Sequence, residues 1–104
     1  MTEKELLSCV IQMAHVFGWK VAHFRPGLDR KGNWKTAVQG DGVGFPDLIM
    51  VRGSVIFAVE LKTEKASLTN EQVDWLRRIS AGAYAHVWRP SQWKDGTIEK
   101  LLRG

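Results

Sequence analysis

Residues 44–62, GFPDLIMVRGSVIFAVELK, decide the fold. Two runs rich in aliphatic and β-branched side chains, Asp47–Arg52 and Val55–Lys62, flank the dipeptide Gly53-Ser54. Glycine as the first central residue of a two-residue connection suits a type II′ turn, whose twist matches that of the strands it joins. Both runs are almost wholly apolar, which predicts a central hairpin covered on both faces. A turn at Gly53-Ser54 also sets the register. Arg52 then faces Val55, and counting outward brings Asp47 opposite Glu60. Opposed residues of an antiparallel pair share a face, with Cβ atoms about 4.5–5.5 Å apart. Lys62 lies two residues beyond Glu60 and points the same way. Two carboxylates and a lysine therefore meet at one end of a greasy hairpin. Carboxylates so close repel, and a hard divalent cation with oxygen ligands, Mg²⁺ or Mn²⁺, relieves that conflict.

Outward from the hairpin, the pattern is that of a small α/β domain. Leu6, Leu7, Val10, Ala14 and Phe17 form the apolar stripe of an amphipathic helix. Thr2 and Glu5 are spaced as a capping box at its start, and Gly18 stands where a helix C-cap is expected. Trp19–Arg25 alternates as a strand. Residues 26–44 hold five glycines and a proline and are expected to form a long loop, a length that in compact domains usually marks a functional segment. Beyond the hairpin, Thr69 and Gln72 repeat the capping-box spacing ahead of a helix through Val73, Leu76 and Ile79. Gly82 ends it, Ala83–Arg89 reads as a further strand, Pro90 stops that strand, and one or two short helices fill Ser91–Leu102. The order is helix, three strands, helix, strand, helical tail.

Length and composition bound the alternatives. The chain has 104 residues, enough for a single domain over 1–104, with 44% hydrophobic and 25% charged residues, so it is not disordered. Lone Cys9 excludes an intramolecular disulfide or a multi-cysteine zinc site. No apolar run nears the roughly 20 residues of a membrane span, and MTEKELLSCV lacks the apolar stretch of a signal peptide, so a cytoplasmic protein is expected. A net charge of +4 suits a polyanionic partner. The five tryptophans suit either a core or base stacking; Trp19, Trp75 and Trp88 fall inside expected elements and are read as core or interface residues.

Gly44-Phe45-Pro46-Asp47, followed by Glu60-Leu61-Lys62 and Gln72, resembles the PD-(D/E)xK nuclease signature, and more narrowly its small VRR-NUC branch, whose stand-alone members are common in phages and prophages. The resemblance runs from Glu3 to about Trp93. It implies a restriction-endonuclease-like core, helix–three strands–helix–strand with a mixed sheet. It further implies metal-dependent cleavage of DNA phosphodiesters as an endonuclease, with branched or junction DNA as a candidate substrate. Asp47, Glu60 and the Leu61 carbonyl would then hold the metal, Mg²⁺ with Mn²⁺ as a substitute. Lys62 would orient the attacking water, and Gln72 would support the site. A phage or prophage protein working in a bacterial cytoplasm follows from the same resemblance.

Related enzymes place a further carboxylate on the first helix. Glu3 extends the apolar stripe backward and is expected to face the sheet, whereas Glu5 is occupied by the capping box. Gln72 has two readings, helix cap and site residue. Between residues 25 and 41, Arg25, Arg30, Lys31 and Lys35 stand against Asp29 and Asp41 with Trp34 among them. Basic side chains interleaved with an aromatic suit contact with phosphates and bases, a solvated surface loop being the plainer alternative. His23, on the strand leading into that loop, is a further candidate for DNA contact. A domain this short is expected to act as a homodimer or with a replication or recombination partner. A non-catalytic DNA-binding module that kept the nuclease fold is the alternative function.

Overall fold

The computed structural model describes residues 1–24, 27–28, 34–35 and 39–104. Its first helix, α1, spans Glu3–Val16. Thr2 and Glu5 form the expected capping box, satisfying two of the amides that a helix N-terminus leaves without partners. Gly18 follows with φ +81°, the left-handed conformation that lets the chain turn back into β1, Lys20–His23. A short antiparallel ribbon, β2 (Gly27–Leu28) with β3 (Trp34–Lys35), lies inside the stretch expected to be loop throughout. The glycine content that suggested a loop is equally compatible with a two-residue strand pair, which carries no periodic signal. Arg25, Arg30 and Lys31 lie outside the described residues.

The hairpin follows as β4 (Leu48–Arg52) and β5 (Val55–Leu61). Its register is the expected one, from Arg52 opposite Val55 to Leu48 opposite Val59. Gly53 has φ +60°, as the first central residue of a type II′ turn requires, and among the described residues no non-glycine residue has positive φ. Helix α2 (Asn70–Ile79) opens with the Thr69–Gln72 capping box; then come β6 (Tyr84–Trp88), α3 (Pro90–Lys94) and α4 (Thr97–Arg103). The main sheet runs β1-β4-β5-β6, antiparallel except for the β5–β6 pair. It is a mixed sheet with helices on both faces, as the motif order implied.

Strand alternation divides the side chains between those faces. Leu48, Met50, Phe57, Val59, Leu61 and Trp88 share one face and bury against Leu6, Val10 and Ala14 of α1 and Ile98 and Leu102 of α4. Each such fully buried aliphatic contributes about 1.5–3 kcal/mol. Trp19 joins this core and donates its indole N–H to the Leu102 carbonyl at 2.8 Å, tying the chain end to the strand start. Arg52 reinforces the joint through bonds to the carbonyls of Phe17 and Leu102.

The other face departs from expectation. Covering on both faces holds at Ala58 and Glu60 but not near the turn, where Val51 and Ile56 are 37% and 42% exposed. Helix α2 packs on β5 and β6. Ten residues of helix reach about 15 Å, shorter than the roughly 23 Å that the seven residues of β5 span, so the turn end is left uncovered. Among the described residues no helix is long and apolar enough to cross a membrane.

Candidate active site

Hairpin register carries Asp47 and Glu60 to the end of the sheet away from the turn, on the face that α2 covers. Proline at position 46 shapes what happens there. In an antiparallel ladder alternate pairs exchange both backbone hydrogen bonds. The turn makes Arg52 and Val55 such a pair, and counting outward the next at the open end is Pro46 with Leu61. Proline has no N–H to give. The Leu61 amide instead donates to Asp47 Oδ2 at 2.9 Å, so a side-chain carboxylate stands in for the missing strand partner. Because a strand residue's N–H and C=O leave on the same side, the Leu61 carbonyl is aimed toward Asp47 without its ladder donor.

Glu60 is 4% exposed, the one buried charged residue among those described. Its pKa is pushed up to about 9, first by burial, then by the negative charge of Asp47 and a hydrogen bond shared with it; Lys62 opposes the shift and Glu3 adds to it. A proton therefore takes the place of a cation between Asp47 and Glu60 at neutral pH. Gln72 caps its helix and also touches Glu60. Its Oε1 accepts from the Thr69 amide at 2.9 Å while its Nε2 donates to Glu60 Oε2 at 3.3 Å.

The charge of Lys62 acts on both Glu60 and Glu3. Glu3 is exposed rather than packed on the sheet, because it occupies the first turn of α1 at the sheet end. Its carboxyl is still sheltered enough by the site that burial, followed by the Asp47 charge, raises its pKa. Glu5 is held low by its hydrogen bonds to Thr2, in keeping with its capping role. His23 is exposed at the end of β1 and pairs with Leu48, which puts it on the α1 side, one residue out of step with Asp47. Trp34 and Lys35 form β3.

Two further residues of the motif build the site in roles that the sequence did not assign them. Gly44 (φ +82°) lies so close to the start of α2 that a Cβ there would stand 2.6 Å from Glu71 Cβ and 2.8 Å from the Gln72 nitrogen. That approach joins the Gly44–Asp47 segment to the helix carrying Gln72. Phe45 packs edge-on between Phe24 and Trp75, and Trp75 donates to the Asp41 carbonyl at 3.0 Å. Pro46, fully buried, is the second. The signal for each was present, a glycine two residues before the motif proline and a proline on a ladder position, but its meaning needed the partner element.

Among the described residues no three His, Cys, Asp or Glu side chains cluster closely enough to enclose a metal. The donor set present is two adjoining carboxylates and a carbonyl. That fits a small hard cation, since Mg²⁺ keeps several waters and is commonly held by one or two carboxylates.

A family model of the VRR-NUC domain matches residues 27–87, more than half of the chain. The chain belongs to the VRR-NUC family. No match to the curated proteins was found. Among solved structures, the chain is similar to Hjc from Archaeoglobus fulgidus, a Holliday junction resolvase from an archaeal hyperthermophile. The TM-score is 0.44 and the identity 22%, over 85% of this chain and 65% of that one. The present chain thus spans about two thirds of the length of that resolvase.

Proposed function

We propose that the protein is a metal-dependent DNA endonuclease that hydrolyses phosphodiester bonds with Asp47, Glu60 and the Leu61 carbonyl as metal-binding groups. The observation that carries this reading is the Asp47–Glu60 pair, with Glu60 buried and Asp47 half-buried, short of positive charge, with Lys62 beside it and Gln72 bonded to it. A bound Mg²⁺ or Mn²⁺ would supply neutralisation of phosphate charge and a water of lowered pKa. Asp47 is fixed for this work by the Leu61 amide, and Gln72 fixes the Glu60 carboxyl. Lys62, a compact point charge, orients the attacking water and stabilises charge developing on the phosphate. Glu3 stands at the rim and adds negative charge that favours a cation at the site. Binding a cation displaces the proton on Glu60, so apparent metal affinity rises with pH.

The substrate is DNA, and branched or junction DNA in particular. A domain of this size with a net charge of +4 grips backbone rather than reading a long sequence, so strand geometry is what it can select. Arg25, Arg30, Lys31, Trp34, Lys35 and His23 are assigned to that contact on the strength of their charge and aromatic character. A homodimer would present two sites to opposite strands. The setting is a phage or prophage protein in the bacterial cytoplasm.

Purified protein assayed on linear, flapped and four-way DNA with Mg²⁺ or Mn²⁺ tests the reading. Metal-dependent nicking that disappears in Asp47→Ala and falls to a low but measurable rate in Lys62→Ala supports it. DNA binding without cleavage under every metal condition would instead make the chain a non-catalytic module. Cleavage that survives both substitutions would show that the chemistry resides elsewhere.

A further inference from the structure

Residues 62–69 connect β5 to α2 and carry a part of the site at each end. Lys62 opens the segment, and the cap residue that seats Gln72 closes it. The connector has no helix or strand of its own. It is nevertheless tied down, and from one place, the junction where β6 ends and α3 begins. The Lys62 amide donates to the Trp88 carbonyl at 3.0 Å, extending the parallel ladder by one residue. The next residue, Arg89, turns its guanidinium onto the connector. Its Nη1 donates to the carbonyls of Thr63 at 2.5 Å and Ala66 at 2.8 Å, with that of Glu64 at 3.2 Å. Nη1 carries two hydrogens, so Thr63 and Ala66 take the full bonds and Glu64 the shared one. The Glu64 carboxylate in turn accepts from the Ser91 amide in the first turn of α3. Those hydrogen bonds with Ser91, followed by the charges of Arg89 and Lys94, hold the Glu64 carboxyl below its ordinary range.

The parallel ladder accounts for the Lys62 amide but stops there. Beyond it, the direction of the chain is set by one arginine that gathers carbonyls from three of the next four residues. We propose that Arg89 is a positioning residue for Lys62. By clamping Thr63–Ala66, it fixes the backbone from which the Lys62 ammonium reaches the Asp47–Glu60 pair. This rests on the nuclease reading, in which Lys62 handles the attacking water. It adds a residue lying outside the PD-(D/E)xK positions, at the junction between β6 and α3.

A double-mutant cycle tests it. Arg89→Ala is expected to lower kcat about 10- to 100-fold, the scale of a displacement near 1 Å, and to leave the metal-concentration dependence unchanged. In a Lys62→Ala background the same change is expected to have less than about a twofold further effect. An equal loss in both backgrounds overturns the proposal, because a general weakening of the fold does not depend on Lys62. If Arg89→Ala does not fold, Arg89→Lys carries the same cycle, keeping the charge and losing the reach to two carbonyls. Wild-type protein that cleaves no DNA with either metal sinks the nuclease reading instead. The clamp is then judged by trypsin cleavage after the exposed Lys65. Faster cleavage in the variant at an unchanged melting temperature upholds the clamp, and an unchanged cleavage rate refutes it.

Discussion

The two faces of the β4–β5 hairpin are built from the same strands to opposite ends. On the α1 side, Leu48, Met50, Phe57, Val59 and Leu61 pack into the core. On the α2 side, one end exposes Val51 and Ile56, and the other buries Glu60 against Asp47. The first face lowers the free energy of the fold. The second holds a buried Glu60 carboxyl beside Asp47, which raises it, the arrangement expected where a site is kept ready for a cation. A period of two residues makes this division unavoidable, since neighbours along a strand cannot share a face.

Substitutions on the two faces should therefore separate activity from stability. The largest effect is expected at the pair itself. Asp47→Ala or Glu60→Gln should reduce metal-dependent cleavage by more than the roughly 100-fold that loss of an outer partner can cost. Glu60→Gln should at the same time raise the melting temperature of metal-free protein at pH 8, because folding no longer has to take up a proton that the unfolded chain has released at that pH. Calorimetry beside a cleavage assay would show both, and a drop in stability would break the contrast.

Leu48→Ala on the opposite face should do the reverse. Removing a fully buried leucine costs about 2–5 kcal/mol, a large part of the stability of a small domain, and denaturant melts would record it. Activity per folded molecule should be retained.

The faces should also answer pH in opposite senses. Glu60 titrates near 9 in the fold against an ordinary value of 4.5, so between those limits the folded state binds a proton that the unfolded chain has released. Its effect is most favourable below about 4.5 and is lost as pH rises toward 9, by at most about 1.4 kcal/mol per pH unit. His86, on the core face between Phe57 and Trp88 with its Nε2 unpartnered among the described residues, is shifted the other way by burial. Its folded pKa lies below the ordinary 6.5, so stability is full above that value and falls as pH drops through it. Between about pH 4.5 and 6.5 the two slopes oppose and offset one another, whereas above 6.5 Glu60 acts alone, so metal-free protein should lose stability chiefly as pH rises from neutrality toward 9. Millimolar Mg²⁺ should flatten only the alkaline limb, which thermal melts across pH would reveal.

A smaller effect is expected where the polar face meets α2. Gly44→Ala would force a Cβ into Glu71 and strain a left-handed backbone, at a cost of about 1–3 kcal/mol. It should lower activity through the displaced Asp47 and Gln72, and the melting temperature measured with the cleavage rate would test that link.

The hairpin turn, its register, both capping boxes and the element order were legible in the sequence because each depends on residues close along the chain. The pairing of Asp47 with Glu60 was legible for the same reason, as it follows from counting outward from Gly53-Ser54. The ribbon within residues 26–44 was not, since strands two residues long leave no period to read. The exposure of Val51 and Ile56 was missed because an apolar run looks alike whether or not a helix covers it. Glu3 shows a third limit. Helical spacing indicated the direction of its side chain but not how far the helix end overhangs the sheet.

Sequence alone therefore determined which residues are opposed in the hairpin, which face each shares, and that two carboxylates and a lysine converge there. Tertiary structure decided what surrounds them. It brought Gln72 onto Glu60, set Gly44 against α2, took Glu60 out of water and laid Arg89 across the connector after Lys62. The reason is physical. Register and capping are local hydrogen-bond geometry, whereas burial and long-range contacts depend on elements that only packing brings together.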